Sequence, residues 1–239
     1  MLKYHLKIIA AMVFTGFYYQ SLAQISYKRW TFSAGLGATN YVGTVPKSAF
    51  NSVYLFDFDH FFSRQFSMSF AWQTGKLSGG SMQSDIQGRE FETDFNAGIL
   101  CGKLYLAKFD DHPAVTRMGL FLQNTYVGLG VGLLGSQISK INRTSKQGEH
   151  LYGQDQAVAA LLSINLGSNW DFFNKFKRPV MYCNVNFQFN FTSTDQLDGY
   201  TVPLVISRGS YDNYIVSSLK FGFYIGENDF FYKHRRRGY

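Results

Sequence analysis

The chain has 239 residues and a formal net charge of +7, with aromatic side chains at 18% and charged ones at only 16%. Soluble domains average about 25% charged residues, so a charge-rich, water-solvated surface is excluded. Of the surplus positive charges, Lys3 and Lys7 hold two and Lys233, Arg235, Arg236 and Arg237 four, which leaves a body near +1 without a basic face for nucleic acid.

Lys3 and Lys7, the apolar run from Ile8 to Tyr19 and the small-residue site Ser21-Leu22-Ala23 read as a secretory signal peptide, residues 1–23, cleaved after Ala23. The run is too short for a membrane helix, which needs roughly 20 residues. Gln24, not Cys, follows the cut, so no lipoprotein is expected.

From Trp30 to Val42 side chains alternate: Trp30, Phe32, Ala34, Leu36 and Ala38 on one face, Thr31, Ser33, Gly35, Gly37 and Thr39 on the other. Period two is the mark of a strand. Residues 43–51 form a loop, and Val53–His60 returns with Tyr54, Phe56 and Phe58 opposite Asp57 and Asp59. Gln65–Gly75 sets Phe66, Met68, Phe70 and Trp72 against Gln65, Ser67, Ser69 and Gln73. After a loop at 76–88, Arg89–Lys103 is expected to turn Phe91, Phe95, Ala97, Ile99 and Cys101 outward and Glu90, Glu92, Asp94 and Asn96 inward. Ala107–Thr116 reads as a turn. Met118–Leu133 puts Val127, Leu129, Val131 and Leu133 outside and Gly128, Gly130 and Gly132 inside, as a tightly filled interior would require.

A loop at 134–155 leads to Gln156–Gly167, with Val158, Ala160, Leu162, Ile164 and Leu166 outward, and an aromatic, basic turn at 169–178 follows. Val180–Thr192 has the plainest pattern. Met181, Cys183, Val185, Phe187, Phe189 and Phe191 oppose Tyr182, Asn184, Asn186, Gln188, Asn190 and Thr192. Water would not solvate the Phe face, and the amides make a poor protein core. A closed barrel in lipid suits both, with its apolar face outward. After a loop at 193–210, Tyr214–Ile225 closes the set, Ile215, Leu219, Phe221, Phe223 and Ile225 outward and Lys220 and Gly222 inward.

The expected fold is all-β: an eight-stranded, antiparallel, up-and-down transmembrane barrel of OmpA- or OmpX-like size over residues 24–226, with a basic periplasmic tail at 227–239. A lipocalin-like barrel has the reverse polarity, an apolar lumen inside a charged surface. With the N-terminus in the periplasm, the longer connections fall outside the cell and the shorter turns inside. An eight-stranded barrel has room only for side chains, so no open pore is expected. The inner acids Asp57, Asp59, Glu90, Glu92 and Asp94 are expected to pair with lumen bases such as Lys103 and Lys220. Cys101 and Cys183, on non-adjacent strands and both facing lipid, are expected not to bridge.

Two short stretches resemble small outer-membrane barrels of the PorG type, which belong to the type IX secretion apparatus and its relatives. Phe191–Tyr200, F-T-S-T-D-Q-L-D-G-Y, is similar to that group's T-D-Y-L-D-x-V at Asp195, Leu197 and Asp198, with Gln196 in place of the aromatic and no following Val. Phe32–Gly43 resembles its opening G-x-G-x-x-x-Y-x-G-D at Tyr41 and Gly43, with Thr44 in place of Asp. The resemblance implies an outer-membrane anchor for a periplasmic secretion ring.

No catalytic or cofactor motif emerges. His5 leaves with the signal and His234 lies in the tail, His60 and His112 fall at turns, and nothing positions His150 with Ser145 and Asp155 as a triad. Asp110-Asp111-His112 before Pro113 reads as a turn and not a metal site. The tail bases Lys233, Arg235, Arg236 and Arg237 are the candidate contact for anionic headgroups or an acidic partner. The expected role is a non-enzymatic scaffold for a periplasmic or secretion complex. A surface-binding barrel acting through its outer loops comes second, and a barrel enzyme acting on lipid or peptide third.

Overall fold

Alternating side chains with branched and aromatic residues at every second position build eight strands: β1 Trp30–Val42, β2 Ser48–Phe61, β3 Phe66–Gly80, β4 Glu90–Tyr105, β5 Thr125–Asn142, β6 Gln156–Phe173, β7 Pro179–Thr192 and β8 Asn213–Ile225. The structure, a computed structural model, describes residues 30–226 apart from 44, 46–47, 64, 82–84, 86–87, 107–123, 145–151, 176–178 and 201–210. The signal-peptide segment, the basic tail, the turn at 107–116 and Met118–Gln123 thus lie outside the described residues. Each strand pairs antiparallel with the next, and β8 pairs back onto β1 from Trp30↔Ile225 to Val42↔Asn213. The sheet therefore has no free edge, as a sheet in hydrocarbon requires.

The outer surface exposes Phe32, Phe56, Phe70, Leu129, Leu162 and Phe221, while Thr31, Asp57, Gln73, Asn165, Asn186 and Lys220 are buried inside. This is the polarity of a membrane barrel. β1, β2, β3, β6, β7 and β8, and β5 from Val127 to Leu133, carry the faces that the alternation predicts.

β4 is turned over. Phe91, Phe95, Ala97, Ile99 and Cys101 point into the barrel, and Glu90, Glu92, Asp94 and Asn96 point out. Lys103 sets this parity, because it must reach Asp59 across the lumen, and Cys101 shares its face. The outer face of β4 then holds Gly98 and Gly102, and rings from β3 cover them: Trp72 lies over Gly98 and Phe66 over Gly102. Aromatic cover of a sheet glycine restores the apolar surface that the glycine lacks. Inside, Gly130 and Gly132 of β5 make room for Ile99 and Cys101.

Several strands outrun their apolar alternation. β2 begins at Ser48, β3 runs to Gly80, β5 spans Thr125–Asn142 and β6 continues to Phe173. Backbone pairing does not need a continued apolar alternation: at the loop end the extensions include polar ladders such as Lys76↔Asp94, Ser78↔Glu92 and Glu92↔Lys140, while the β6 extension, read from sequence as part of a turn, pairs Trp170↔Cys183 and Phe172↔Met181. The loops shorten accordingly, to 43–47, 81–89, 143–155 and 193–212. Both cysteines are free, and they lie on opposite sides of the wall. Cys101 is in the lumen, where Asn165 Nδ2 donates to its Sγ at 3.4 Å, and Cys183 is on the outer face, in register with Trp170 and Phe221.

Ile99 and Leu100 are adjacent and isomeric, so they test the parity of β4 directly. Ile99→Ala should lower the unfolding free energy in lipid vesicles by about 2–5 kcal/mol, as for a packed core residue, and Leu100→Ala by clearly less. Losses in the reverse order, read by urea titration, would turn the strand back over.

Candidate functional site

The lumen is layered along its length. At its middle, Asp57 and Asp59 of β2 meet Lys103 of β4 and Lys220 of β8, all four buried. Lys103 Nζ lies 2.5 Å from Asp59 Oδ1 and 3.7 Å from Asp57 Oδ2, and Lys220 pairs with Asp57. Thr31 Oγ1 donates to Asp59 Oδ2 at 3.1 Å. Two positive and two negative charges balance. Such a cluster gains little net stability over an apolar core, but breaking it by removing one partner is expensive. Two voids of about 10 Å³ flank it, each of a size for one water molecule.

Toward the terminal end, the amide face of β7 joins the charges to an aromatic layer of Phe61, Tyr105 and Tyr126. Asn184 Nδ2 donates to Asn169 Oδ1 at 2.6 Å and to Tyr126 at 3.2 Å, and Asn169 Nδ2 donates to Tyr105 at 3.3 Å. Toward the loop end, the lumen is apolar. Tyr41, Val53, Leu55, Phe91, Phe95, Ile99, Leu134, Leu161, Tyr214 and Val216 form one buried cluster, which the turned-over face of β4 supplies with its bulk.

A segment of the β7–β8 loop closes that end. Leu197 is fully buried in the apolar cluster, and Thr93 Oγ1 donates to its carbonyl at 2.7 Å. The backbone N–H groups of Leu197 and Asp198 donate to Asp212 Oδ2 at 2.9 and 3.4 Å, and Tyr200 N donates to Asp198 Oδ1 at 2.9 Å. The Tyr41 hydroxyl lies between Asp212 Oδ1 and Asp198 Oδ2, the latter at 3.2 Å. Tyr200 Oη donates to Asn142 O at 2.6 Å and accepts from Glu90 N at 3.1 Å, tying the segment to β5 and β4. Gly199 has φ +73°, a left-handed turn against Ile138 that favours glycine. At Gly43 a side chain would collide with the Tyr41 ring and with Asp212. Burial beside Asp198 pushes the Asp212 carboxyl up to about 7.

The two stretches singled out for their family resemblance therefore meet in space. Tyr41 and Gly43 from one, and Leu197 and Asp198 from the other, build the cap. Sequence reading missed Asp212 and Tyr200; the signal was the need of a buried Asp198 for partners. Of the expected lumen acids, Asp57 and Asp59 are in place with Lys103 and Lys220. Glu90, Glu92 and Asp94 are not; they lie on the outer rim of the loop end. There Lys140 is 2.9 Å from Glu90, and Lys76 is 2.5 Å from Glu92 and 3.7 Å from Asp94. Exposed pairs of this kind are screened by water and contribute little.

Lys233, Arg235, Arg236 and Arg237 lie outside the described residues, as do His112, Ser145 and His150. Asp155 pairs with Arg143 at 2.6 Å, and the His60 ring lies 4.0 Å from that of Trp30. Among the described residues, no three of His, Cys, Asp and Glu come together as a metal-binding group.

The fold and the layered lumen define a small, filled membrane barrel. No protein-family profile and no curated protein matches the sequence. Among solved structures, the chain is similar to neisserial surface protein A at 8% identity and a TM-score of 0.46, over 84% of this chain and 100% of that one. It is similar to the attachment invasion locus protein Ail of Yersinia pestis, in complex with a heparin analogue, at 9% and 0.43, over 82% and 99%. It is also similar to the outer-membrane enzyme PagL at 11% and 0.31, over 82% and 99%. Likenesses this low bring no functional assignment with them.

Lys220→Met leaves Asp57 with Lys103 at 3.7 Å as its remaining partner. It should destabilise the barrel by about 3–5 kcal/mol. Adding Asp57→Leu should recover most of that loss, and a double variant no better than the single one would show that the pair does not act as a unit.

Proposed function

We propose that this protein is an outer-membrane barrel serving as a closed, non-catalytic anchor, with its two ends offered to protein partners. The observation that carries this reading is the lumen, which is blocked in succession by the Phe61–Tyr105–Tyr126 layer, the ion-paired cluster and the apolar plug under Leu197. Among the described residues, the voids beside the charged cluster are each of a size for one water molecule, which supports a closed barrel. The signal peptide expected from residues 1–23 and the lipid-facing aromatic surface support the outer-membrane location.

The partner in this proposal is a periplasmic assembly, a secretion ring of the type IX kind in the reading that the resemblance motifs support. Its contacts are the terminal-end connections and the basic tail with Lys233, Arg235, Arg236 and Arg237. The second reading, a surface-binding barrel, draws on the built cap of the β7–β8 loop, which gives the outer end a defined surface. Lipid and protein are the only partners proposed, with no cofactor.

In planar bilayers the purified protein should give no conductance steps, and steady channels would remove the anchor reading. Cross-linking in native outer membranes, followed by mass spectrometry, should recover periplasmic complex subunits, and deletion of residues 233–239 should reduce their yield severalfold. Recovery that depends on the loops at 143–155 and 193–212, and not on the tail, would favour the surface-binding reading.

A further inference from the structure

Two buried oxygens of the lumen, Asp57 Oδ1 and Asn184 Oδ1, meet no hydrogen-bond donor among the described residues. Asp57 gives its other oxygen to Lys220. Asn184 directs its amide hydrogens to Asn169 Oδ1 at 2.6 Å, the Tyr126 oxygen at 3.2 Å and the Ser168 carbonyl at 3.3 Å, which fixes Oδ1 as its acceptor end. Both residues are only 3% exposed. A carboxylate or amide oxygen buried this deeply costs free energy unless a donor reaches it.

Both residues line the same void, the one of about 10 Å³ on the terminal side of the ion-paired cluster. Asp57 stands on β2 and Asn184 on β7, and Lys220 of β8 links their positions. It pairs with Asp57 and is the register partner of Asn184. Lys103 also lines the void, and it uses one of its three ammonium hydrogens on Asp59 at 2.5 Å. A void of this size admits one water molecule, and a buried water needs two to four polar partners. Water brings two hydrogens for the two acceptors, and its oxygen can accept from Lys103. The ammonium charge disfavours a metal cation at the same point. The void on the loop side differs, because Ala71, Ile99 and Cys101 form part of its wall.

We infer that one water molecule is built into the terminal-side void, where it donates to Asp57 Oδ1 and Asn184 Oδ1. It ties the ion-paired cluster to the amide and phenol network that begins at Asn184 and runs through Asn169 to Tyr105. In the strand order β7-β8-β1-β2, that bridge passes behind the two strands whose pairing closes the barrel. The water therefore braces β2 against β7 from inside the seam. It belongs to the barrel wall whatever partner the protein has, and so stands apart from the anchor reading.

A crystal structure of the full chain, at a resolution that shows single waters, tests this. One density peak should lie within about 3 Å of both Asp57 Oδ1 and Asn184 Oδ1. Absence of that peak would overturn the inference. So would a peak held by several oxygens at the shorter distance of about 2.3–2.6 Å that marks a metal ion. In the double variant Lys220→Met, Asp57→Leu, the leucine offers no acceptor and the peak should vanish. A peak that persists there would show that Asp57 does not hold the water, which is equally contrary. If the double variant does not fold, the natural chain decides alone.

Discussion

The structure depends on one seam, the pairing of β8 with β1. In hydrocarbon every backbone N–H and C=O needs a partner within the protein, and a sheet meets that demand only by closing on itself. Once closed, period two sends each residue within the apolar belt either to lipid or to the lumen. With eight strands the lumen is narrow, so it must be filled by the inward side chains, and their bulk, charge and hydrogen-bonding groups have to be satisfied by one another. The ion-paired cluster, the asparagine network and the apolar plug are three solutions to that single demand.

These solutions occupy different depths, with different consequences. The charges sit at mid-height between two layers of rings, and their value lies in fixing which residues face in. Lys103 is the clearest case. Its reach to Asp59 and Asp57 fixes the parity of β4, and that parity brings Phe91, Phe95 and Ile99 inside to build the upper plug. The plug in turn gives Leu197 a surface to pack on, which turns a polar loop into a seated cap. Closure of the lumen and order in the loop are thus linked through one strand.

The sequence disclosed the strands that present one uniform face to lipid. β7 and β3 alternate Phe or Trp with Asn, Gln or Ser, and no other arrangement suits both faces. β4 misled because its bulky residues fill the lumen while its lipid side carries Gly98 and Gly102, covered by rings from a different strand. Nothing within β4 itself records that cover. Lys103 did carry the signal, since a lysine sharing a face with Cys101 and Ile99 cannot point into lipid. The ends of β3 and β5 were hidden for another reason: they leave the apolar belt, and their ladders are held by polar cross-strand pairs with no period to read. For the cap, both stretches were visible as patterns, but Tyr41 and Asp198 are 157 residues apart, and their contact exists only once the barrel has closed.

The central claim is that the lumen is a packed protein core and not a water channel. Methyl NMR of the protein in lipid nanodiscs tests it most directly. The account predicts contacts from Ile99, Leu134, Leu161 and Leu197 to the rings of Phe91, Phe95, Tyr41 or Tyr214, without water contacts, while Leu100, Leu129 and Leu162 touch lipid acyl chains. Water contacts along the first set, or lipid contacts at Ile99, would contradict it.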